Sequence, residues 1–99
     1  MRPNDGVQHR PAAYNLEIRD HLYKLFKKMG RKERLKLELI NKKVKKILED
    51  PHLYKPLKAP MQHMYRVHIG GSFVLIFSIN KKAKSVALED FVHHYEAYR

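Results

Sequence analysis

The sequence predicts an α+β domain of two layers: an N-terminal strand, an antiparallel helix hairpin, then a mostly antiparallel sheet of three or more strands. Two consecutive segments carry apolar residues at helical spacing, and the second half of the chain alternates like strands around a Gly-Gly pair. The chain has 99 residues and no cysteine, so a disulfide-stapled fold is excluded. We expect one domain over residues 14–99, after a loose tail over residues 1–13.

The first elements follow from short-range patterns. Residues 14–18 alternate apolar and polar side chains, which predicts a short strand. Asp20 is placed to cap a helix that follows, and Gly30 is placed to end it. The helix is indicated by apolar residues at three-and-four spacing: Leu22, Leu25, Phe26 and Met29.

A second helix is expected from about Arg31 to Asp50, before Pro51 stops it. Its apolar stripe consists of Leu37, Ile40, Val44, Ile47 and Leu48. Because almost no loop separates the two helices, they are expected to form a hairpin. The following stretch, residues 51–63, contains three prolines and is expected to be an ordered connector or an edge segment.

The remaining sequence predicts strands. Residues 64–69 alternate, with Arg66 and His68 on one face, and Gly70-Gly71 is expected to form a two-residue hairpin turn. Residues 73–77 are continuously apolar, as in a strand covered on both faces or nearly so. A polar turn over residues 80–84 then leads to a final strand from Ser85 to about Val92. One sheet face should carry the helices, and the other should stay partly open and hold a site.

Charge restricts the partners. The chain has 21 Lys and Arg against 10 Asp and Glu, a net charge of +11, and residues 24–46 alone carry +9 of it. This balance favours a polyanionic or acidic partner, although a merely solvated lysine surface is the alternative. No apolar stretch is long enough to span a membrane and no signal segment is evident, which predicts a cytoplasmic protein.

The lysines of the second helix are the densest cations. They are predicted to bind RNA phosphates or an acidic protein: Lys42, Lys43, Lys45 and Lys46. A membrane-surface helix is disfavoured, because the apolar stripe is needed to cover the sheet.

Two motifs point to a known family. The first motif is a strand segment that precedes an apolar strand, Tyr65-Arg66-Val67-His68-Ile69-Gly70. The second motif is the end of the sequence, His93-His94-Tyr95-Glu96-Ala97-Tyr98-Arg99. Together with the order of elements, these motifs resemble the RelE/ParE superfamily of toxins over residues 14–99. The resemblance implies a basic toxin neutralised by an acidic antitoxin. RelE-like members cut messenger RNA at the ribosome and thereby inhibit translation, whereas ParE-like members poison gyrase.

The sequence departs from the family pattern at two cationic positions. RelE-like nucleases usually have an arginine just after the hairpin, where this chain has Phe73 or Val74, and the often-arginine position near the end is His94. Two outcomes are open: either histidines take over the role of these cations, or the nuclease activity is weakened or lost.

Metal-independent RNA cleavage needs proton-transfer groups and a cation for the phosphate, and it uses no cofactor. Histidine suits proton transfer and arginine suits phosphate binding. We therefore expect Arg66 to clamp the phosphate, His94 (or, less favoured, His93) to move protons, and Tyr98 to stack or handle a proton. His68 and Arg99 are expected to add phosphate contacts, and His63 is a weaker candidate. Structural roles are the alternative for each, such as pairing of Arg66 with Glu89.

Three functions stay open at this point. The first is a RelE-like endoribonuclease toxin, the second a ParE-like or inactive relative that only binds gyrase or an antitoxin, and the third a general RNA-binding module. A zinc site from His63, His68, His93 and His94 is disfavoured, because their spacing matches no standard ligand pattern.

Overall fold

The computed structural model describes residues 13–58 and 63–93. A four-stranded sheet with the order β1-β4-β3-β2 is built from β1 (Asn15–Ile18), β2 (Met64–Ile69), β3 (Phe73–Asn80) and β4 (Ser85–His93). β1 runs parallel to β4, and the other two pairings are antiparallel. The expected α+β architecture with a mostly antiparallel sheet is therefore confirmed.

Two helices, α1 (Asp20–Lys32) and α2 (Arg34–Glu49), lie between β1 and β2 in the sequence. Glu33 alone joins the two helices. Asp20 was expected to cap α1, but it lies inside the first turn, and Arg19 occupies the capping position without a side-chain cap bond. The reason is that the Arg19 backbone N–H still bonds to the carbonyl of Leu88, so the strand passes directly into the helix.

Gly30 does not end α1 as expected. The helix continues to Lys32, because Gly30 keeps a helical backbone and does not adopt the left-handed conformation of a glycine that ends a helix. The break comes at Glu33, whose backbone N–H bonds to the carbonyl of Met29 at 2.7 Å. α2 consequently starts three residues later than expected, and a short 3-10 helix, Pro51–Leu53, follows it.

The β2–β3 hairpin is also longer than expected. Ile69 pairs with Phe73, so three residues, Gly70, Gly71 and Ser72, form the connection. Gly70 has φ of +67°, a conformation that favours glycine because it carries no Cβ. The second glycine does not need this freedom, so only one of the pair determines the turn.

The core lies between the helices and one face of the sheet. It gathers Leu22 and Met29 of α1, the apolar stripe of α2, and inward side chains of the three antiparallel strands, with Phe77 fully buried at its centre. The apolar run of β3 is covered on both faces or nearly so, as predicted. Leu75 faces the helices and Val74 faces away from them, and neither is exposed.

A β-bulge interrupts the pairing of β3 with β4. Ile76 pairs with Asp90 and Phe77 pairs with Leu88, which leaves Glu89 as the extra residue. Such a bulge changes the direction of the side chains that follow it. It therefore determines which residues near the end of β4 share the face that carries no helices.

Candidate functional site

Arg66 and His68 lie together on the sheet face opposite the helices. Both belong to β2, the edge strand, and both are exposed, whereas their neighbours Val67 and Ile69 are buried towards the helices. Side chains two apart on a strand project from the same face about 6–7 Å from each other. The predicted strand alternation has thus placed a guanidinium and an imidazole side by side on an accessible surface.

Cross-strand pairing extends this site towards β4. Arg66 pairs with Ile76 of β3, which in turn pairs with Asp90 of β4. His68 pairs with Val74 of β3, which in turn pairs with Val92 of β4. Neighbouring strands are about 5 Å apart, so Val92 lies about 10 Å from His68 on the same face. The cross-strand row of side chains that begins at His68 on β2 therefore ends at Val92 on β4, one residue before His93.

His93 lies on the other face. It pairs with Phe73, and its ring packs edge-on against the Phe73 ring with centroids 5.4 Å apart. The structure therefore does not bring His93 together with Arg66 and His68, although all three are exposed. His94, Tyr98 and Arg99 lie outside the described residues.

The two residues at the position of the family arginine, Phe73 and Val74, are apolar and cannot make a polar contact to a phosphate. Phe73 stacks on Phe91 at 5.1 Å, and Val74 is fully buried. A cation nevertheless lies beside this position, because Lys36 of α2 holds its Nζ atom 4.2 Å from the centre of the Phe73 ring. The same Nζ atom contacts Glu33 Oε1 at 2.9 Å, which partly offsets its charge.

An ion-pair network that the sequence did not reveal lies on the open face beside the bulge. Arg19 donates from Nε to Glu89 Oε1 at 2.9 Å and from Nη2 to Oε2 at 2.8 Å. The Ser78 hydroxyl also donates to Glu89 Oε2, at 2.6 Å. These hydrogen bonds, led by that of Arg19 and opposed by partial burial, lower the pKa of Glu89. The sequence offers Glu89 as a structural partner of Arg66. In the structure, the Glu89 carboxylate accepts hydrogen bonds from Arg19 and Ser78.

Four of the five lysines of α2, the ones predicted to bind phosphates or an acidic protein, lie in the opposite layer of the molecule. Lys42, Lys45 and Lys46 are exposed and Lys43 is half-buried. All four line one open groove of about 440 Å³ together with Leu39 and Glu49. Because α2 covers the other face of the sheet, this groove and the pair Arg66 and His68 lie on separate surfaces.

The open sheet face combines two kinds of side chain that are chemically suited to binding a phosphate and to transferring a proton. A guanidinium can give two parallel hydrogen bonds to a phosphate, and an imidazole titrates near neutral pH. Within residues 13–58 and 63–93, no three metal-ligating side chains gather into a possible metal site. In the same ranges, no helix combines the length and the apolar character needed to cross a membrane.

Sequence patterns would not have revealed the bidentate Arg19–Glu89 pair or the Lys36–Phe73 contact. Arg19 and Glu89 are 70 residues apart, and the bulge that presents Glu89 leaves no periodic signal. Phe73 sits in a run of apolar residues, which indicates a strand but not the cation above the ring.

No family model matches the chain. An uncharacterised protein of Methanosarcina mazei is 51% identical over 85 residues, which cover 86% of this chain and 99% of that protein. A candidate toxin of Methanocaldococcus jannaschii, named RelE4, is 40% identical over 86 residues, which cover 87% of this chain and 92% of that protein.

Two solved structures share the fold. The toxin–antitoxin complex RelBE2 of Mycobacterium tuberculosis matches with a TM-score of 0.69 at 14% identity, over 86% of this chain and 95% of the matched chain. The YoeB–YefM complex of Staphylococcus aureus matches with a TM-score of 0.69 at 17% identity, over 85% of this chain and 100% of the matched chain.

Proposed function

This chain belongs to the RelE family of toxins from toxin–antitoxin modules, and we propose from that premise that it is a metal-independent endoribonuclease that cuts messenger RNA at the ribosome. Translation would stop as a consequence. The substrate and the reaction are the proposal, and the family is its starting point.

The observation that carries the proposal is the pair Arg66 and His68 on the exposed face of β2. RNA cleavage needs a cation at the scissile phosphate. It also needs one group that takes a proton from the ribose hydroxyl and one that gives a proton to the leaving oxygen. Arg66 is proposed to hold the phosphate and His68 to add a contact to it. Both residues reach solvent from a rigid strand, which is the kind of support that a precise geometry requires.

The remaining catalytic groups are proposed from the C-terminal motif. His94 is proposed as the proton-transfer residue and Tyr98 as a group that stacks on a base or handles a proton. Arg99 is proposed to contact a phosphate. His93 is the weaker choice, because it contacts Phe73 on the helix-covered face.

The partners follow from the charges. The lysines of α2 are proposed to contact ribosomal RNA or an acidic antitoxin, and the net charge of +11 supports either partner. The two structural neighbours are toxin–antitoxin complexes, in keeping with an antitoxin partner for this chain.

Expression in a host that permits growth measurements tests the proposal. The wild-type chain should arrest growth and leave transcripts with new ends, whereas Arg66→Ala and His94→Ala should restore growth and intact transcripts. Lys82→Ala is the matched control, since it removes an exposed cation from the β3–β4 turn and should still arrest growth. Intact transcripts in arrested wild-type cells would contradict the nuclease proposal.

One observation favours a second candidate, a toxin that acts by binding alone, to gyrase or to an antitoxin. β3 contains no arginine, and Phe73 and Val74, which stand at the position of the family arginine, are apolar residues engaged in packing. Growth arrest with a DNA-damage response and uncut transcripts would favour the gyrase version. Salt-sensitive RNA binding with no effect on growth would instead indicate a general RNA-binding module.

A further inference from the structure

A polar depression of about 150 Å³ lies on the open face of the sheet, beside the pair of Arg19 and Glu89. Its bottom is formed by the small side chains of Ser78, Ser85 and Ala87, of which the last two are buried. Its wall is formed by the longer, exposed side chains of Glu17 and Arg19. The depression therefore exists because small residues occupy the middle of the sheet while long polar ones stand at its β1 edge.

The depression shares the sheet face with Arg66. Arg66 pairs with Ile76, and Ser78 stands two residues further along β3. At about 3.3 Å per strand residue, Ser78 lies roughly 7 Å along the sheet from the row of Arg66, and β1 lies three strands, or about 15 Å, across from β2. An RNA strand whose phosphate is held at Arg66 therefore has the depression within reach of a base one or two nucleotides away.

Arg19 forms a flat platform at this depression. Its Nε and Nη2 atoms donate to the two carboxylate oxygens of Glu89 at 2.9 and 2.8 Å, and two parallel bonds fix the plane of a guanidinium. The side chain of Arg19 nevertheless stays 50% exposed. Unstacked RNA bases are commonly bound by stacking on guanidinium planes. The ion pair therefore presents a rigid stacking surface whose positive charge Glu89 already offsets.

Glu17 supplies a hydrogen-bonding edge to the same depression. Its carboxylate interacts electrostatically with Arg19, and among residues 13–58 and 63–93 no group donates a hydrogen bond to it. Because Glu89 offsets the charge of Arg19, the carboxylate of Glu17 repels a phosphate and favours hydrogen-bond donors. Carboxylates accept hydrogen bonds from the amino groups of bases. On the Watson–Crick edge of guanine, N1–H and the amino group lie side by side and match two carboxylate oxygens.

We propose that this depression is a base-recognition subsite for single-stranded RNA, in which a guanine stacks on Arg19 and donates its N1–H and amino group to Glu17. The choice of RNA rests on the proposed function, whereas the platform, the carboxylate and the recess between them are features of the chain itself. A cavity of this size holds one aromatic ring. The ring that enters is the six-membered ring of guanine, which carries both donors, and the rest of the nucleotide stays outside.

Binding of RNA that cannot be cut tests the subsite with the full-length chain. The probes are short fluorescent oligonucleotides with 2′-O-methyl riboses and one guanine among uridines. In the matched probe, inosine replaces the guanine, which removes the amino group and nothing else. Fluorescence anisotropy measures the affinities. We expect the wild-type chain to bind the guanine probe about tenfold more tightly than the inosine probe, and Glu17→Gln to bind the two about equally.

Matched variants separate base recognition from general charge effects. Glu38→Gln removes an exposed carboxylate from α2, in the other layer, and should keep the preference for guanine. Arg19→Lys keeps the charge but loses the flat platform, so it should weaken the binding of both probes towards that of a probe with an abasic site in place of the guanine. Thermal melts confirm that each variant is folded.

Three results would overturn the proposal. The first is a wild-type chain that does not distinguish guanine from inosine. The second is an equal preference for guanine in Glu17→Gln and Glu38→Gln. The third is a Glu17→Gln variant that binds both probes more tightly and keeps the wild-type ratio between them, because the carboxylate would then only repel phosphates.

Cleavage of unmodified RNA separates the subsite from the proposed nuclease function. We expect the wild-type chain to cut at a fixed distance of about one or two nucleotides from guanine, and Glu17→Gln to cut without that preference. A chain that distinguishes the two probes but cuts no RNA would contradict the nuclease function and support the subsite. A chain that cuts RNA without regard to guanine would support the nuclease function and overturn the subsite.

Discussion

The outward face of α2 and the open face of the sheet are both cationic, but they differ in what surrounds the cations. On α2, four lysines follow one another within five residues and border an open groove. On the sheet, Arg66 stands beside His68, and the carboxylates of Glu89 and Asp90 in β4 lie two strands away. Dense like charge attracts a polyanion without orienting it, whereas mixed groups on a rigid strand can orient a phosphate. We therefore propose that α2 attracts a polyanionic partner and that β2 carries the chemistry.

The largest effect is expected in the core that both faces share. Phe77 is fully buried, stacks on Tyr65 at 5.4 Å and meets Tyr54 edge-on. Phe77→Ala should lower the free energy of unfolding by about 3–5 kcal/mol, since it removes a large ring and leaves a cavity. Urea denaturation measures the loss. Tyr23→Ala, on an exposed α1 position, should change stability by less than about 0.5 kcal/mol. A small effect of Phe77→Ala would mean that the two faces do not depend on one core.

The second effect separates the two faces by kinetics. Arg66→Ala should lower the rate constant of RNA cleavage by about 10²- to 10³-fold, because a charge-stabilising donor is lost from the reacting phosphate. Lys45→Ala should raise KM and leave kcat nearly unchanged, since it weakens attraction alone. Arg66→Lys should recover only part of the rate, because an ammonium cannot form the two parallel hydrogen bonds. Equal losses of kcat in Arg66→Ala and Lys45→Ala would remove the proposed division of roles.

The third effect concerns salt. If the lysines of α2 contact RNA phosphates, the logarithm of the affinity for single-stranded RNA should fall with the logarithm of salt concentration. Each lysine replaced by alanine, among Lys42, Lys45 and Lys46, should then reduce that slope by about 0.7. Filter binding at several salt concentrations measures the slope, with Lys82→Ala as the control. An unchanged slope would show that RNA does not lie along α2.

The smallest effect is expected at Glu89. Because Arg19 and Ser78 lower its pKa in the folded chain, the carboxylate stabilises the fold above the unfolded-state pKa near 4.5. That stabilisation should disappear as the pH falls through the lower folded-state pKa. Glu89→Gln should therefore destabilise the protein slightly at neutral pH, by less than Phe77→Ala, and flatten the pH dependence of stability below the unfolded-state pKa. Arg19 is half exposed, which keeps the effect small. Thermal melts across this range provide the test, and parallel curves for both proteins would contradict it.

Much of the fold was predictable because its signals are local. The helical stripes, the alternation of residues 64–69 and the stop at Pro51 each depend on neighbours within a few residues. The same alternation predicted that Arg66 and His68 share one face, and the structure agrees. The errors lie at the ends of elements: Asp20, Gly30 and the length of the hairpin turn. There, contacts such as that of the Arg19 backbone with Leu88 outweigh local preference.

What the sequence determined by itself was the element order, the net charge, the face of each β2 residue and the resemblance to the family. Only the tertiary structure decided which distant groups meet. The bidentate hold of Arg19 on Glu89, the position of Lys36 over Phe73 and the separation of the α2 lysines from Arg66 depend on sheet order, on a bulge and on helix packing. Periodicity acts through neighbouring residues of one chain segment, whereas these contacts depend on packing between segments far apart in the sequence.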